Sequence, residues 1–241
     1  MHLAMWSGPR NISTAMMRAF ENRADTRVMD EPFYAAYLHD SGLDHPVRSH
    51  ILEHQETDWR KVIELCTSEL PEGVSLSYQK QMTHHMLEHY DTNWLHGMRH
   101  CFLLREPARV LASYEKKREQ PTLSDIGLAQ QVNLFEKISA QAIVKPLIID
   151  SADFLQQPRA YLEHLCEYIE LPFTTRMLSW PAGKRDSDGV WAEHWYNRVW
   201  ESTGFEEPKH TTVKLASHLQ DVCDEAQPLY ERLFEQRLQI G

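Results

Sequence analysis

Two arginine-centred segments carry the clearest chemical signal. The first is Gly8-Pro9-Arg10-Asn11-Ile12-Ser13-Thr14-Ala15, which follows the apolar run His2–Trp6. A strand–turn–helix there points backbone N–H groups outward and sets the positive end of a helix dipole beside them, which favours an anion. Set against G-x-x-x-x-G-K-[ST], Gly8 matches the first glycine. Ser13 replaces the second glycine, Thr14 the lysine and Ala15 the metal-binding hydroxyl. Without that lysine and hydroxyl the loop is poorly equipped for the β- and γ-phosphates of ATP with magnesium. Arg10, Ser13 and Thr14 still suit a phosphate or sulfate group that needs no metal. The same residues also fit an ordinary turn, stiffened by Pro9 and capped by Asn11 or Ser13. The second segment runs from His100 to Glu115, with Arg105 after a buried apolar run and Ser113 eight residues later. An arginine at a strand's carboxyl edge can fork onto a phosphate, or it can pair with the adjacent Glu106.

These residues need elements to position them. His2–Trp6, Thr26–Asp30, Val74–Gln81, His100–Leu104 and Pro146–Asp150 read as strands. Ser13–Ala24, Trp59–Leu70 (capped by Asp58), Leu123–Val144 and Pro158–Glu170 read as helices. Pro107 opens a helix to about Arg118, and Thr83 caps one to about Leu95. Residues 38–58 are polar and histidine-rich and read as a loop; residues 180–212 read as an ordered loop. Ser217–Leu238 is helical in composition, and Pro228 should kink or split it. Strands alternating with helices predict an α/β fold, a parallel sheet covered on both faces. No domain boundary interrupts residues 1–241, which read as a single domain.

Arg105-Glu106-Pro107-Ala108-Arg109-Val110-Leu111-Ala112-Ser113-Tyr114 resembles the 3′-phosphate-binding motif of the sulfotransferases that use 3′-phosphoadenosine-5′-phosphosulfate (PAPS). Pro9 to Ala15 is similar to that family's P-K-S-G-T-T-W loop, with Arg10 for the lysine, Ser13-Thr14 for the hydroxyl pair and Asn11-Ile12 for Ser-Gly. Ile148 to Phe173 resembles the family's next strand, helix start and L-x-L-P-F. Gly183 to Trp191 resembles its C-terminal R-K-G-x-x-G-D-W loop. The resemblance implies a three-layer P-loop NTPase-like fold with a central, mostly parallel sheet. It implies that Arg10, Asn11, Ser13 and Thr14 hold the 5′-phosphosulfate. Arg105 and Ser113 would hold the 3′-phosphate, with Lys184 and Arg185 adding charge there.

Sulfuryl transfer also needs a base. Glu31, in Asp30-Glu31-Pro32-Phe33, resembles the E-P-x-F stretch in which the family's carbohydrate and bacterial branches place theirs. A carboxylate at a sheet edge among aromatics can have a raised pKa, or it can simply pair with a cation. His84 or His85 is the other candidate, two residues beyond the place where cytosolic relatives carry K-T-H, and Glu31 is preferred. Arg10 does not give up a proton readily, so its role is electrostatic. The acceptor expected is a small molecule or carbohydrate, met by loops 35–58 and 192–212.

The composition narrows the classes. Lys and Arg total 25 against 35 Asp and Glu, a net charge of −10, which disfavours general nucleic-acid or anionic-membrane binding. No run reaches the ~18 apolar residues of a membrane span. The start is too quickly polar for a secretory leader, and the four cysteines are scattered. A soluble, cytoplasmic protein is expected, with no oligomeric state set by sequence. The histidine pairs His50/His54 and His85/His89 lack an H-E-x-x-H core and read as helix-surface residues, so no metal is expected. Aromatics at Trp180, Trp191, Trp195, Tyr196, Trp200 and Phe205 either stack on a ligand or anchor their loop. Two rivals remain at this stage: a nucleotide-dependent kinase on the same fold, and a nucleotide-binding module without chemistry.

Overall fold

The five apolar runs pair as one sheet in a computed structural model that describes residues 1–115, 120–207 and 213–240. They form β1 (His2–Ser7), β2 (Thr26–Asp30), β3 (Leu76–Met82), β4 (Arg99–Leu104) and β5 (Leu147–Asp150). The order is β2-β3-β1-β4-β5 and every pairing is parallel. Register places Ser7 beside Met82 and Leu103, and Leu104 beside Asp150, so the strands' carboxyl ends share one edge. The chain leaves β1 toward β2 and leaves β4 toward β5. The crevice between β1 and β4 is therefore the switch point at which open parallel sheets bind ligands.

The helices are α1 (Ser13–Glu21), α2 (Tyr34–Ser41), α3 (Arg48–His54), α4 (Trp59–Thr67), α5 (Pro107–Tyr114) and α6 (Leu123–Ile126). They continue with α7 (Leu128–Ser139), α8 (Ser151–Gln156), α9 (Pro158–Tyr168), α10 (Ala192–Trp195), α11 (Asn197–Glu201) and α12 (Gln220–Phe234). Strand alternation sorts them into layers. Leu3, Met5, Cys101, Leu103 and Ile149 pack on one face with Met16, Phe20 and Leu165. Ala4, Trp6, Phe102, Leu104 and Ile148 pack on the other with Leu111, Phe135 and Leu233. A parallel sheet covered on both faces buries both sets, which is why β1 and β4 read as continuous apolar runs. No helix among the described residues is long and apolar enough to cross a membrane.

Several elements differ from the sequence expectation. Residues 38–58 are not one loop: they hold the end of α2 and all of α3, with Leu38 and Ile51 fully buried and Gly42 closing α2 at φ 67°. The helix expected from Thr83 to Leu95 is two short 3₁₀ turns, Thr83–His85 and Asn93–Gly97. Thr83 caps nothing; its hydroxyl donates to the Gly127 carbonyl at 2.9 Å. The long helix expected over Leu123–Val144 breaks at Gly127, whose φ of 69° ends α6 and starts α7. Residues 180–212 gain two helical turns, α10 and α11, and residues 208–212 lie outside the described residues, as does Arg118. Pro228 sits inside an unbroken α12. Cys223, Ala226 and Leu233 are buried on both sides of it, so tertiary packing offsets the one N–H that Pro228 lacks.

Gly127 gives a stability prediction. A Cβ there would sit 2.9 Å from Thr83 Oγ1 on a left-handed backbone. Gly127→Ala should cost about 1–2 kcal/mol in denaturant unfolding. Gly97→Ala, where nothing lies within 4 Å of the added carbon, should stay within about 0.5 kcal/mol. Equal losses at the two positions would show that Gly127 does not set the helix break.

Candidate functional site

The carboxyl edge of the sheet opens into a cavity of about 560 Å³, and both arginine segments line it. That is within the usual range for a small-ligand or cofactor site. Gly8 allows the first segment to turn into it: a Cβ there would come within 2.3 Å of the Ile126 carbonyl oxygen. Asn11 anchors the loop. Its Nδ2 donates to the Leu103 carbonyl at 3.0 Å, and its Oδ1 accepts the Ile12 N–H at 2.8 Å. Gln131 of α7 donates to the same Leu103 carbonyl at 2.9 Å. Ile12 stands at the N-cap of α1 and no side chain caps that end. The first amides of α1 are therefore left for an anion, with Ser13 and Thr14 in the first turn lining the cavity.

The two segments form one site. Arg10 Nε donates to Ser113 Oγ at 3.0 Å, and Arg105 donates to the Arg10 carbonyl. Neither Arg10 nor Arg105 makes an ion pair among the described residues, although each is half-buried. Burial, then the charge of Arg198, pulls the Arg10 guanidinium below its usual value. Burial, then Arg10, Arg109 and Arg198, does the same at Arg105. All four arginines line the cavity and remain cationic at neutral pH. Two half-buried guanidiniums without an ion-pair partner, Arg10 and Arg105, beside Arg109 and Arg198, which pair with Glu106 and Glu206, suit a polyanion.

Arg198 was not anticipated. It lies on α11, in an aromatic-rich stretch without period, and pairs with Glu206 at 2.5 Å. Lys184 and Arg185, which were anticipated, do not line the cavity. Lys184 pairs with Glu193 at 2.7 Å over the Trp200 ring, and Arg185 is spent on backbone carbonyls of its own loop. That loop docks through other residues. Asp188 pairs with buried Arg18 and accepts Trp200 Nε1–H at 2.9 Å, and the Gly189 N–H donates to Asp30 Oδ2 at 3.2 Å.

At the end of β2 the cavity wall becomes acidic. Glu31 lines it with φ 46°, and Arg10 opposite has φ 57°, two of the four non-glycine left-handed residues among those described. Such geometry costs about 1–3 kcal/mol each and tends to gather where function demands it. Lys80 Nζ, on β3, donates to Asp30 Oδ1 at 2.9 Å, to Glu31 Oε1, and shares a 2.8 Å contact with the Tyr196 hydroxyl. Tyr196 also reaches Asp30 Oδ2 at 2.8 Å. Burial pushes the Glu31 carboxyl above its ordinary value, with Lys80 opposing and Asp30 adding. Burial alone would lower Lys80, but Asp30 and Glu31 hold it well above the ordinary lysine value. Glu31 Oε2 takes no bond among the described residues.

His84 lines the cavity too, and its Nδ1 has no hydrogen-bond partner. Burial, then the charge of His45, pulls it down to about 4. His85 is stacked between Tyr34 at 4.5 Å and Tyr37 at 4.8 Å and is likewise held neutral by burial. A group that weakly basic is a poor proton acceptor near neutrality, whereas the shift at Glu31 runs in the useful direction. The role of Asp30 was missed in the sequence because its contact with Lys80 spans 50 residues, while Tyr196, expected to stack on a ligand or anchor its loop, anchors it on Asp30 and Lys80.

The family described as Sulfotransferase domain matches residues 1–236. "Branched-chain-amino-acid aminotransferase-like protein 1" of Arabidopsis thaliana is 34% identical over 230 residues, covering 95% of this chain and 40% of that protein. The "protein 2" of the same name is 32% identical over 228 residues, with the same coverage. The chain thus spans 40% of the length of these relatives, and their names assign it nothing. Among solved structures, the sulfotransferase domain from the Synechococcus PCC 7002 olefin synthase superposes with TM-score 0.62 and 16% identity, covering 98% of this chain and 95% of that one. The sulfotransferase domain from the curacin biosynthetic pathway gives 0.54 and 14%, covering 93% and 96%. These likenesses show the fold.

The buried charge cluster predicts a sign. Lys80→Met leaves Asp30 and Glu31 without their cation and should cost about 3–5 kcal/mol at neutral pH. A carboxyl whose pKa is raised on folding stabilises the fold below its unfolded value, near 4.5 for Glu31, and loses that as pH rises through the folded value. The variant's deficit should therefore shrink as pH falls toward 4.5 and grow toward neutrality. Urea unfolding of both proteins from pH 4.5 to 8 checks this, and a deficit independent of pH would contradict it.

Proposed function

This chain belongs to the sulfotransferase domain family, and we propose that it transfers the sulfuryl group of PAPS to a hydroxyl or amine of a small-molecule or carbohydrate acceptor. The observation that carries the reading is the joining of two anion sites into one cavity by Arg10, Ser113 and Arg105. The residues fit the donor. The open amides of α1, with Ser13, Thr14 and Arg10, suit a 5′-phosphosulfate, and Arg105 with Ser113 suits a 3′-phosphate. Thr14 and Ala15, where an ATP-binding loop has its lysine and metal hydroxyl, favour this over a magnesium nucleotide. The buried, unpaired cysteines suit a reducing compartment such as the cytoplasm.

The donor supplies an activated sulfur bonded to a phosphate oxygen that leaves. The chain's own groups do the rest. Glu31 takes the acceptor's proton as the acceptor oxygen or nitrogen bonds to sulfur. The sulfur–oxygen bond to phosphate breaks, and its electron pair stays on the phosphate oxygen. Arg10 and the α1 amides stabilise that oxygen. Lys80 holds Glu31 in place and keeps Asp30 as its counter-ion once Glu31 is protonated.

Two outcomes follow from this assignment. 3′,5′-Phosphoadenosine should raise the melting temperature in the presence of EDTA, with about 2.7 kcal/mol of stabilisation at ~100 times its Kd. Arg105→Ala should cost that ligand about 1.5–3 kcal/mol of affinity and hardly affect a nucleotide lacking the 3′-phosphate. A melt shifted by ATP with magnesium and not by phosphoadenosine would overturn the donor reading, and equal losses for both nucleotides would make Arg105 structural.

Glu31→Gln separates binding from chemistry. Glutamine keeps the volume but accepts no proton, so phosphoadenosine affinity should hold while turnover falls by ~10²–10⁴. Arg10→Ala should lower both. Normal turnover in a folded Glu31→Gln protein would transfer the base to His84 or His85.

A further inference from the structure

One cluster of metal-ligating side chains takes no part in this chemistry. We propose that His50, Glu53 and His54, on the outer face of α3, bind a divalent transition ion of the zinc class. The proposal is independent of the sulfuryl-transfer reading. Residues at i, i+3 and i+4 share one helix face. One nitrogen from each imidazole and a carboxylate oxygen lie within 4.8 Å of one another, and all three residues are exposed. The two imidazole rings are 4.1 Å apart.

His54 adds an independent observation. Its Nδ1 lies 2.9 Å from the His50 carbonyl oxygen, so Nδ1 carries the proton and Nε2 is left with its lone pair. A ring N–H tied to a carbonyl, with the other nitrogen available, is how metal-ligating histidines are held. Two imidazoles and a carboxylate are a donor set that zinc accepts, with a fourth position to fill.

Water can fill that position, because all three residues are exposed. The histidine pair that the sequence assigned to a solvated face thus gains a role through Glu53, outside the donor chemistry.

The test titrates Zn²⁺ into the full, EDTA-stripped chain against a chromophoric chelator, with Co²⁺ absorption reporting the ligand set. One ion per chain is expected. His50→Ala and His54→Ala should each weaken binding by about tenfold or more, and Glu53→Gln by a smaller factor. His39→Ala/His89→Ala, which alters a different exposed histidine pair around Asp40, should leave it unchanged. The variants concern exposed side chains, and circular dichroism verifies their fold. No saturable one-to-one binding, or binding that survives His50→Ala/His54→Ala, overturns the site. Full affinity in Glu53→Gln overturns the three-residue ligand set.

Discussion

A lysine ammonium buried at the sheet edge must have its counter-charges in place, and the structure is arranged around that requirement. Lys80 comes from β3, its carboxylates from the end of β2, and the hydroxyl that completes the set from Tyr196, over a hundred residues away. Removing two or three charges from water is repaid only when the geometry is complete. The ion cluster therefore ties the C-terminal aromatic segment to the sheet, and the same bonds hold Glu31 in its strained, cavity-facing conformation.

The other half of the cavity obeys the opposite logic. Arg109 and Arg198 pair with Glu106 and Glu206, while Arg10 and Arg105, half-buried beside them, make no ion pair among the described residues. One wall thus carries carboxylates paired to a buried lysine, and the other carries two half-buried guanidiniums without ion-pair partners. In a chain of net charge −10 this separation is local. It rests on burial, because a half-buried guanidinium is screened less than the exposed acids around it. Such a divided cavity sets a cationic wall beside a carboxyl that burial pushes above its ordinary value.

Much of this was legible in the sequence, for identifiable reasons. The strands read correctly because parallel strands covered on both faces leave short apolar runs such as His100–Leu104. Arg10, Arg105 and Ser113 were visible because a strand followed by a turn and a helix start has a fixed geometry. Glu31 was visible as a carboxylate directly after a strand. Residues whose place depends on distant partners were not. Arg198 and Tyr196 lie in a stretch without period, and nothing local distinguishes Arg198 from Lys184 or Arg185. The breaks were misjudged in both directions. Gly127 split a helix that composition favoured, while packing on both sides of Pro228 carried α12 through a residue that should interrupt it.

The carbonyl of Leu103 accepts from both Asn11 and Gln131. One oxygen is thus a joint between the Gly8–Ala15 loop and a helix of the opposite layer. The loop's height above the sheet is set by how α7 seats, and α7 seats through Val132, Phe135 and Ile138 in the second core. The second hydrophobic layer and the cavity wall are thus linked through a single peptide oxygen of β4.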